Sequence, residues 1–112
     1  MSDLGAEDAK LVTLARASMV RIGADHGAAV RDADGRSYAA APVALASFRV
    51  GALDLAVAQA VSAGATGLEA AAVVSAAENP VVSVATVREV GGEGVAVYVA
   101  NLHGDVVQVL TT

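Results

Sequence analysis

The sequence predicts an α/β chain: one three-layer α/β/α domain built on a five-stranded mixed sheet with helices on both faces. Three observations lead there. Along the chain the apolar spacing alternates between a helical period and a two-residue period, in the order helix, strand, strand, helix, strand, helix, strand, strand. The 112 residues suffice for a single domain, 1–112, and are too few for two. Hydrophobic residues make up 55% and charged residues 17%, so material for a core is ample and disorder is excluded.

The first helix is expected over 4–22, where Leu11, Leu14, Ala15, Ser18, Met19 and Ile22 recur at three- and four-residue spacing. Asp3, Glu7 and Asp8 lie where the helix dipole favours negative charge, and Gly23 closes the helix. The period then changes. Ala28 and Val30 alternate with Ala29 and Arg31, and Tyr38 and Ala40 alternate with Ser37 and Ala39. Between the two runs, Asp32-Ala33-Asp34-Gly35 supplies turn chemistry, which makes this a β-hairpin. Pro42 ends the second strand because it has no backbone N–H for the ladder.

A second helix is expected over 46–63, with Ser47 as its cap and Gly64 closing it. The run LEAAAVVS, 68–75, suits a strand buried on both faces. Glu78-Asn79-Pro80 leads into a third helix at about 80–90, with Pro80 in its first turn and Gly91 and Gly92 at its end. GVAVYVAN and DVVQVL complete the sheet, with the reversal at 101–105.

Charge narrows the partners. The net charge is −5, and the seven Lys and Arg residues stand singly between Lys10 and Arg88. A phosphate backbone or an anionic membrane surface needs clustered positive charge, so neither nucleic acid nor membrane is expected as a partner. Apolar runs such as 70–74 are far too short to span a bilayer, and the acidic start MSDLGAEDAK is the opposite of a signal peptide. There is no cysteine, hence no disulfide, no thiolate nucleophile and no thiolate metal ligand. The expected location is the cytoplasm.

The phrases HGAAVRDADGRSY, ALASF, AVAQAVSAG and AAAVV, in this order and spacing, resemble the small cytidine deaminases of pyrimidine salvage. The likeness covers nearly the whole chain. Members of that family read roughly VGAA, a hairpin, NxENASY, a helix opening with Cys-Ala-Glu, then Ala-(Ile/Val)-Ser-x-Gly, and later Pro-Cys-x-x-Cys. On this chain Gly51 falls at the first cysteine, and Pro80 follows 29 residues on, as the family spacing requires.

Deaminases of this kind hold a zinc ion on Cys or His ligands and move protons with a glutamate that is not a ligand. The metal needs three protein ligands and an open position for water, whose pKa it lowers so that hydroxide is present at neutral pH. By the resemblance, the three ligand positions are Gly51, Val81 and Val84, and the acid/base position is Leu53. None of the four can bind zinc or carry a proton. The ribose-reading Asn and Glu of the family fall at Pro42 and Ala44, which cannot accept a sugar hydroxyl. No catalytic residue, metal ligand or cofactor carries over. Leu53, Val81 and Val84 are expected to fill the old pocket with hydrocarbon.

The remaining polar groups suggest no other chemistry. His26 and His103 read as surface or turn histidines, and no spacing brings them together. None of Ser37, Ser47, Ser62, Ser75 and Ser83 has a histidine at a suggestive separation. Asp54, where the family often has arginine, must be paired or solvated on an apolar helix. Asp32 and Asp34 belong to the turn, Glu78 and Asn79 organise the entry to the third helix, and Arg49 and Tyr38 are surface groups or partner contacts.

The expectation is a non-catalytic cytidine deaminase-like protein acting as a self-associating scaffold or regulatory partner. The alternatives are a binder of nucleosides or other small ligands that keeps part of the cleft, and a metal-free enzyme for which no residue set can be named; in either case the chain is a deaminase by similarity only. The resemblance implies a homo-oligomer, dimer or tetramer. The helix at 46–63 supports this because it is apolar around more of its circumference than one sheet covers. The chain stops at 109–112 without the leucine- and proline-containing tail common in the family, which counts against a full tetramer.

Overall fold

Helix α1, Ala6–Ile22, buries Leu11, Val12, Ala15, Ser18 and Met19 along one stripe and ends at Gly23, whose φ of 66° is the left-handed cap that glycine adopts freely. The computed structural model describes residues 4–112, so Asp3 lies outside the described residues. Strands β1 (His26–Asp32) and β2 (Ser37–Ala40) form the hairpin expected from the sequence.

The turn of that hairpin is held by Asp32, which is buried. Its Oδ1 accepts the N–H groups of Asp34 and Arg36, both at 2.9 Å, and its Oδ2 accepts the Tyr38 hydroxyl at 2.9 Å. Burial by itself pushes this carboxyl up. The bonds from Arg36, Tyr38 and Asp34 outweigh burial and hold it below the ordinary carboxylate range. A depressed folded value means the stabilisation is present above the unfolded value, about pH 4, and is lost as pH falls through the folded one. The urea midpoint of wild-type protein should therefore drop on acidification, and Asp32→Asn should drop less steeply over the same range. Parallel curves for the two proteins would assign the acid sensitivity elsewhere.

After β2 the structure departs from the sequence expectation. No helix begins at 46. Instead β3 (Val43–Ala44) and β4 (Arg49–Val50) pair as a small antiparallel ribbon, closed by the Leu45 N–H donating to the Phe48 carbonyl at 2.8 Å. Helix α2 covers only Ala52–Ser62, and Ser47 is not its cap. Leu45 and Phe48 are more than half exposed, so a longer helix would gain no burial from them. Burial of an apolar face is the main source of helix stability in proteins. The remaining helix is ordinary in its amphipathicity: Ala52, Leu53, Ala56, Val57 and Ala60 are buried, while Asp54, Ala58, Gln59, Val61 and Ser62 face water. The surplus apolar circumference expected at 46–63 is not there.

Strand β5, Leu68–Ser75, is buried along its length except at Glu69. Helix α3 covers Ala85–Gly91 rather than about 80–90, and Pro80 stands in the preceding coil. The run Val81-Val82-Ser83-Val84 accounts for the late start, because β-branched residues and serine are poor helix formers and Val81 gains no burial. Strands β6 (Ala96–Ala100) and β7 (Val106–Thr111) follow.

The main sheet has the order β2-β1-β5-β6-β7. Only β5 and β6 run parallel; the other neighbours are antiparallel, so the sheet is mixed as expected. Helix α1 packs on one face with Ala29, Ala70, Ala72, Val74 and Ala100, and α2 packs on the other with Ala28, Val30, Ala71, Val73 and Val97. Small side chains allow this close layering. Between α1 and β1 the closeness is extreme. A Cβ placed on Gly27 would collide with the Ala15 carbonyl oxygen and lie 3.1 Å from Met19 Cβ.

Candidate functional site

The start of α2, the end of β5 and the coil before α3 meet around a recess of about 330 Å³. His26, Gly51, Leu53, Asp54, Val73, Ser75, Pro80 and Val81 contribute to its walls. Three of the four positions that the resemblance singled out, Gly51, Leu53 and Val81, thus line one cleft. They do not fill it. Leu53 is buried in the α2-side core, Val84 packs against that core half-buried, and Val81 is fully exposed. The expected packing of Leu53 with both valines is therefore corrected: with the α3 start at Ala85, Val81 lies in coil and cannot share a helix face with Val84. Gly51 leaves the cleft open, since a Cβ there would meet nothing nearer than His26 Nε2 at 3.9 Å. Pro42 and Ala44 lie outside the walls, Ala44 exposed in β3.

His26 is the residue that sequence reasoning undervalued. It was expected on the surface, yet it is part-buried at the first position of β1 and faces the recess. The N–H of Ala52, in the first turn of α2, donates to its Nε2 at 3.2 Å, and its Nδ1 bonds Asp25 Oδ1 at 2.7 Å. Both bonds form together only when the proton sits on Nδ1, which fixes the neutral tautomer. His26 thereby caps a helix that has no side-chain cap of its own. The bond from His26 holds the Asp25 carboxyl below its ordinary range. The clue in the sequence was position: His26 immediately precedes the Gly-Ala-Ala run.

Ser75 is the direct cross-strand neighbour of His26, a proximity that sequence separation concealed. The pair is not a nucleophile and its base. Ser75 Oγ accepts the Ala77 N–H at 3.1 Å, and the free lone pair of His26 is taken by Ala52. Asp54, expected to be paired or solvated, accepts the Thr86 hydroxyl at 2.8 Å and so ties α2 to α3. His103 belongs to an adjoining recess of about 510 Å³ with Glu78, Asn79 and Asn101, which shares Ser75, Ala77 and Pro80 with the first.

A mixed sheet with one parallel pair, helices on both faces and a cleft between two helix starts defines a three-layer α/β/α domain. A family model described as cytidine deaminase-like matches residues 4–104, and the chain belongs to that family. The fold is similar to the crystal structure of cytidine deaminase from Burkholderia pseudomallei, with a TM-score of 0.76 at 23% identity over 96% of this chain and 93% of that one. A comparison with curated protein sequences gives no significant match.

The zinc of such deaminases does not fit the residues present. Gly51, Val81 and Val84 offer no donor atom, and no group of three or more His, Asp or Glu side chains among the described residues is arranged to hold a metal ion. Among the described residues, no helix is long and apolar enough to cross a membrane.

Proposed function

We propose that this protein is a non-catalytic member of the cytidine deaminase-like family that serves as a self-associating scaffold or regulatory partner. What supports the proposal is that the residues the resemblance sets at the family's ligand and acid/base positions, Gly51, Val81, Val84 and Leu53, have no donor or proton-carrying side chain, and that Leu53 is buried in the core. A carboxylate that shuttles protons must reach the ring from the wall of the cleft, and hydrocarbon there supplies neither hydroxide nor a proton. Pro42 and Ala44, at the ribose positions, add nothing that reads a sugar. Incubation with cytidine and deoxycytidine, in zinc-supplemented buffer, should give no ammonia above blank. Turnover that scales with protein concentration and survives further purification would overturn the proposal.

The open recess favours a second reading, a small-ligand binder. Leu53, Val73 and Pro80 give it apolar walls, and Asp54, Ser75 and Ser83 add a few polar groups. Calorimetric titration with cytidine, uridine and their free bases separates the two readings: saturable heat supports the binder, and its absence leaves the scaffold.

A further inference from the structure

We propose that the groove between α1 and the 101–105 reversal is an anion site for a small organic phosphate, with Arg16 and Arg21 supplying positive charge and His103 a ring N–H. The inference stands apart from both readings above. The groove lies along α1, on the opposite face of the sheet from α2, and shares no residue with the recess at Gly51 and Leu53.

The groove has a volume of about 640 Å³, and its walls come from α1 and from His103 and Gly104. Arg16 and Leu102 are 86 residues apart in the sequence, yet the Arg16 Nε donates to the Leu102 carbonyl at 2.8 Å. That bond sets the guanidinium against the reversal and leaves its terminal nitrogens for other partners. Arg31 is different, being held by Asp8 at 2.9 Å and Glu69 at 2.8 Å. Among the described residues, neither Arg16 nor Arg21 has an ion pair. No carboxylate lines the groove. Asp8, on the same helix, is engaged by Arg31 and Tyr98, and Asp105 lies beyond Gly104, outside the walls. Arg21 suits the dipole in the last turn of α1, and Arg16 ties down the reversal. Neither use consumes the terminal nitrogens.

Charge and shape narrow the ligand. On a chain of net charge −5, a groove with two arginines and no carboxylate draws anions where most of the surface repels them. A carboxylate is satisfied by one bidentate arginine. A phosphate monoester carries more charge and more acceptor oxygens, enough to occupy both guanidinium groups and the His103 ring. The groove is larger than inorganic phosphate needs and falls within the range of organic-ligand sites, roughly 300–1,000 Å³. Val12 and Val20 give it an apolar wall, and Val20 is 61% exposed. An apolar body attached to the phosphate would cover that valine. Two arginines are too few to hold a polyanion such as nucleic acid.

The experiment is calorimetric titration at low ionic strength with phenyl phosphate and with inorganic phosphate. The proposal expects saturable binding of phenyl phosphate and weaker binding of inorganic phosphate. Arg21→Gln should weaken phenyl phosphate binding about tenfold, the loss of a charge-assisted contact. Arg49→Gln removes the same charge outside the groove and should leave the affinity unchanged. Arg21 is the residue to substitute because Arg16 also holds the reversal. Amide NMR shifts on addition of phenyl phosphate should gather at 12–21 and 103–104. No saturable heat, or equal weakening by the two variants, would overturn the site. Shifts gathered at 51–54 would place the ligand in the other cleft and overturn it equally. Inorganic phosphate binding as tightly as phenyl phosphate would overturn the organic class of ligand.

Discussion

Leu53→Ala should cost about 2–5 kcal/mol of stability, and Leu53→Glu at least as much. Leu53 is 7% exposed and packs with Ala52, Ala56, Val57 and Val73 between α2 and the sheet. Truncation leaves a cavity lined by small residues that have little side chain with which to fill it. The glutamate variant restores the family's acid/base residue, but in surroundings of hydrocarbon, where an unpaired carboxylate is costly. Val81 gives the contrast, since it is fully exposed and Val81→Cys should change stability by no more than about 0.5 kcal/mol. Urea midpoints for the three variants check the ordering. If Leu53→Glu were as stable as wild type, position 53 would be open to water, and small-ligand binding would become the better reading.

Gly27→Ala should cost about 3 kcal/mol, near the top of the usual range for overpacking. The added methyl runs into the Ala15 carbonyl oxygen, which belongs to the backbone of α1 and cannot rotate aside, and it crowds Met19. Relief requires α1 to lift from the sheet, loosening its contacts with Ala29, Ala72 and Val74. At Gly67, by comparison, a Cβ meets only Ala33 Cβ at 3.6 Å, an ordinary contact. Gly67→Ala should therefore fall within about 0.5 kcal/mol of wild type. Thermal unfolding of the two variants side by side provides the check. Equal midpoints would mean that α1 sits farther from β1 than the geometry indicates.

The order of the three helices and the five strands of the main sheet was legible in the sequence because each of those strands had a distinct period or a bounded apolar run, and because Asp32-Ala33-Asp34-Gly35 permits little but a turn. The helix starts were harder to place. Along 42–52, alanine, valine and leucine are compatible with either state, and only the burial available to each decided that Leu45 and Phe48 stay outside a ribbon while Leu53 enters the core. Pro80 looked like a first-turn proline, yet the β-branched run after it delays α3 to Ala85. For the candidate site, motif spacing pointed to Gly51, Leu53 and Val81, and the fold brings these three residues to one cleft. That the cleft stays open, and that His26 caps α2 across it, depends on the pairing of β1 with β5 and on the placement of α2, both long-range features. The role of Gly27 also became visible only with the sheet and α1 in place.

Metal content tests the central claim most directly. Protein purified without chelators, dialysed against excess zinc and then against metal-free buffer should retain far less than one equivalent of zinc by mass spectrometry, because Gly51, Val81 and Val84 present no donor. Zinc held near one equivalent per chain, and lost on substitution of His26 or Asp54 at the cleft, would show that a different ligand set has been assembled there and would contradict a non-catalytic assignment built on Gly51, Leu53, Val81 and Val84.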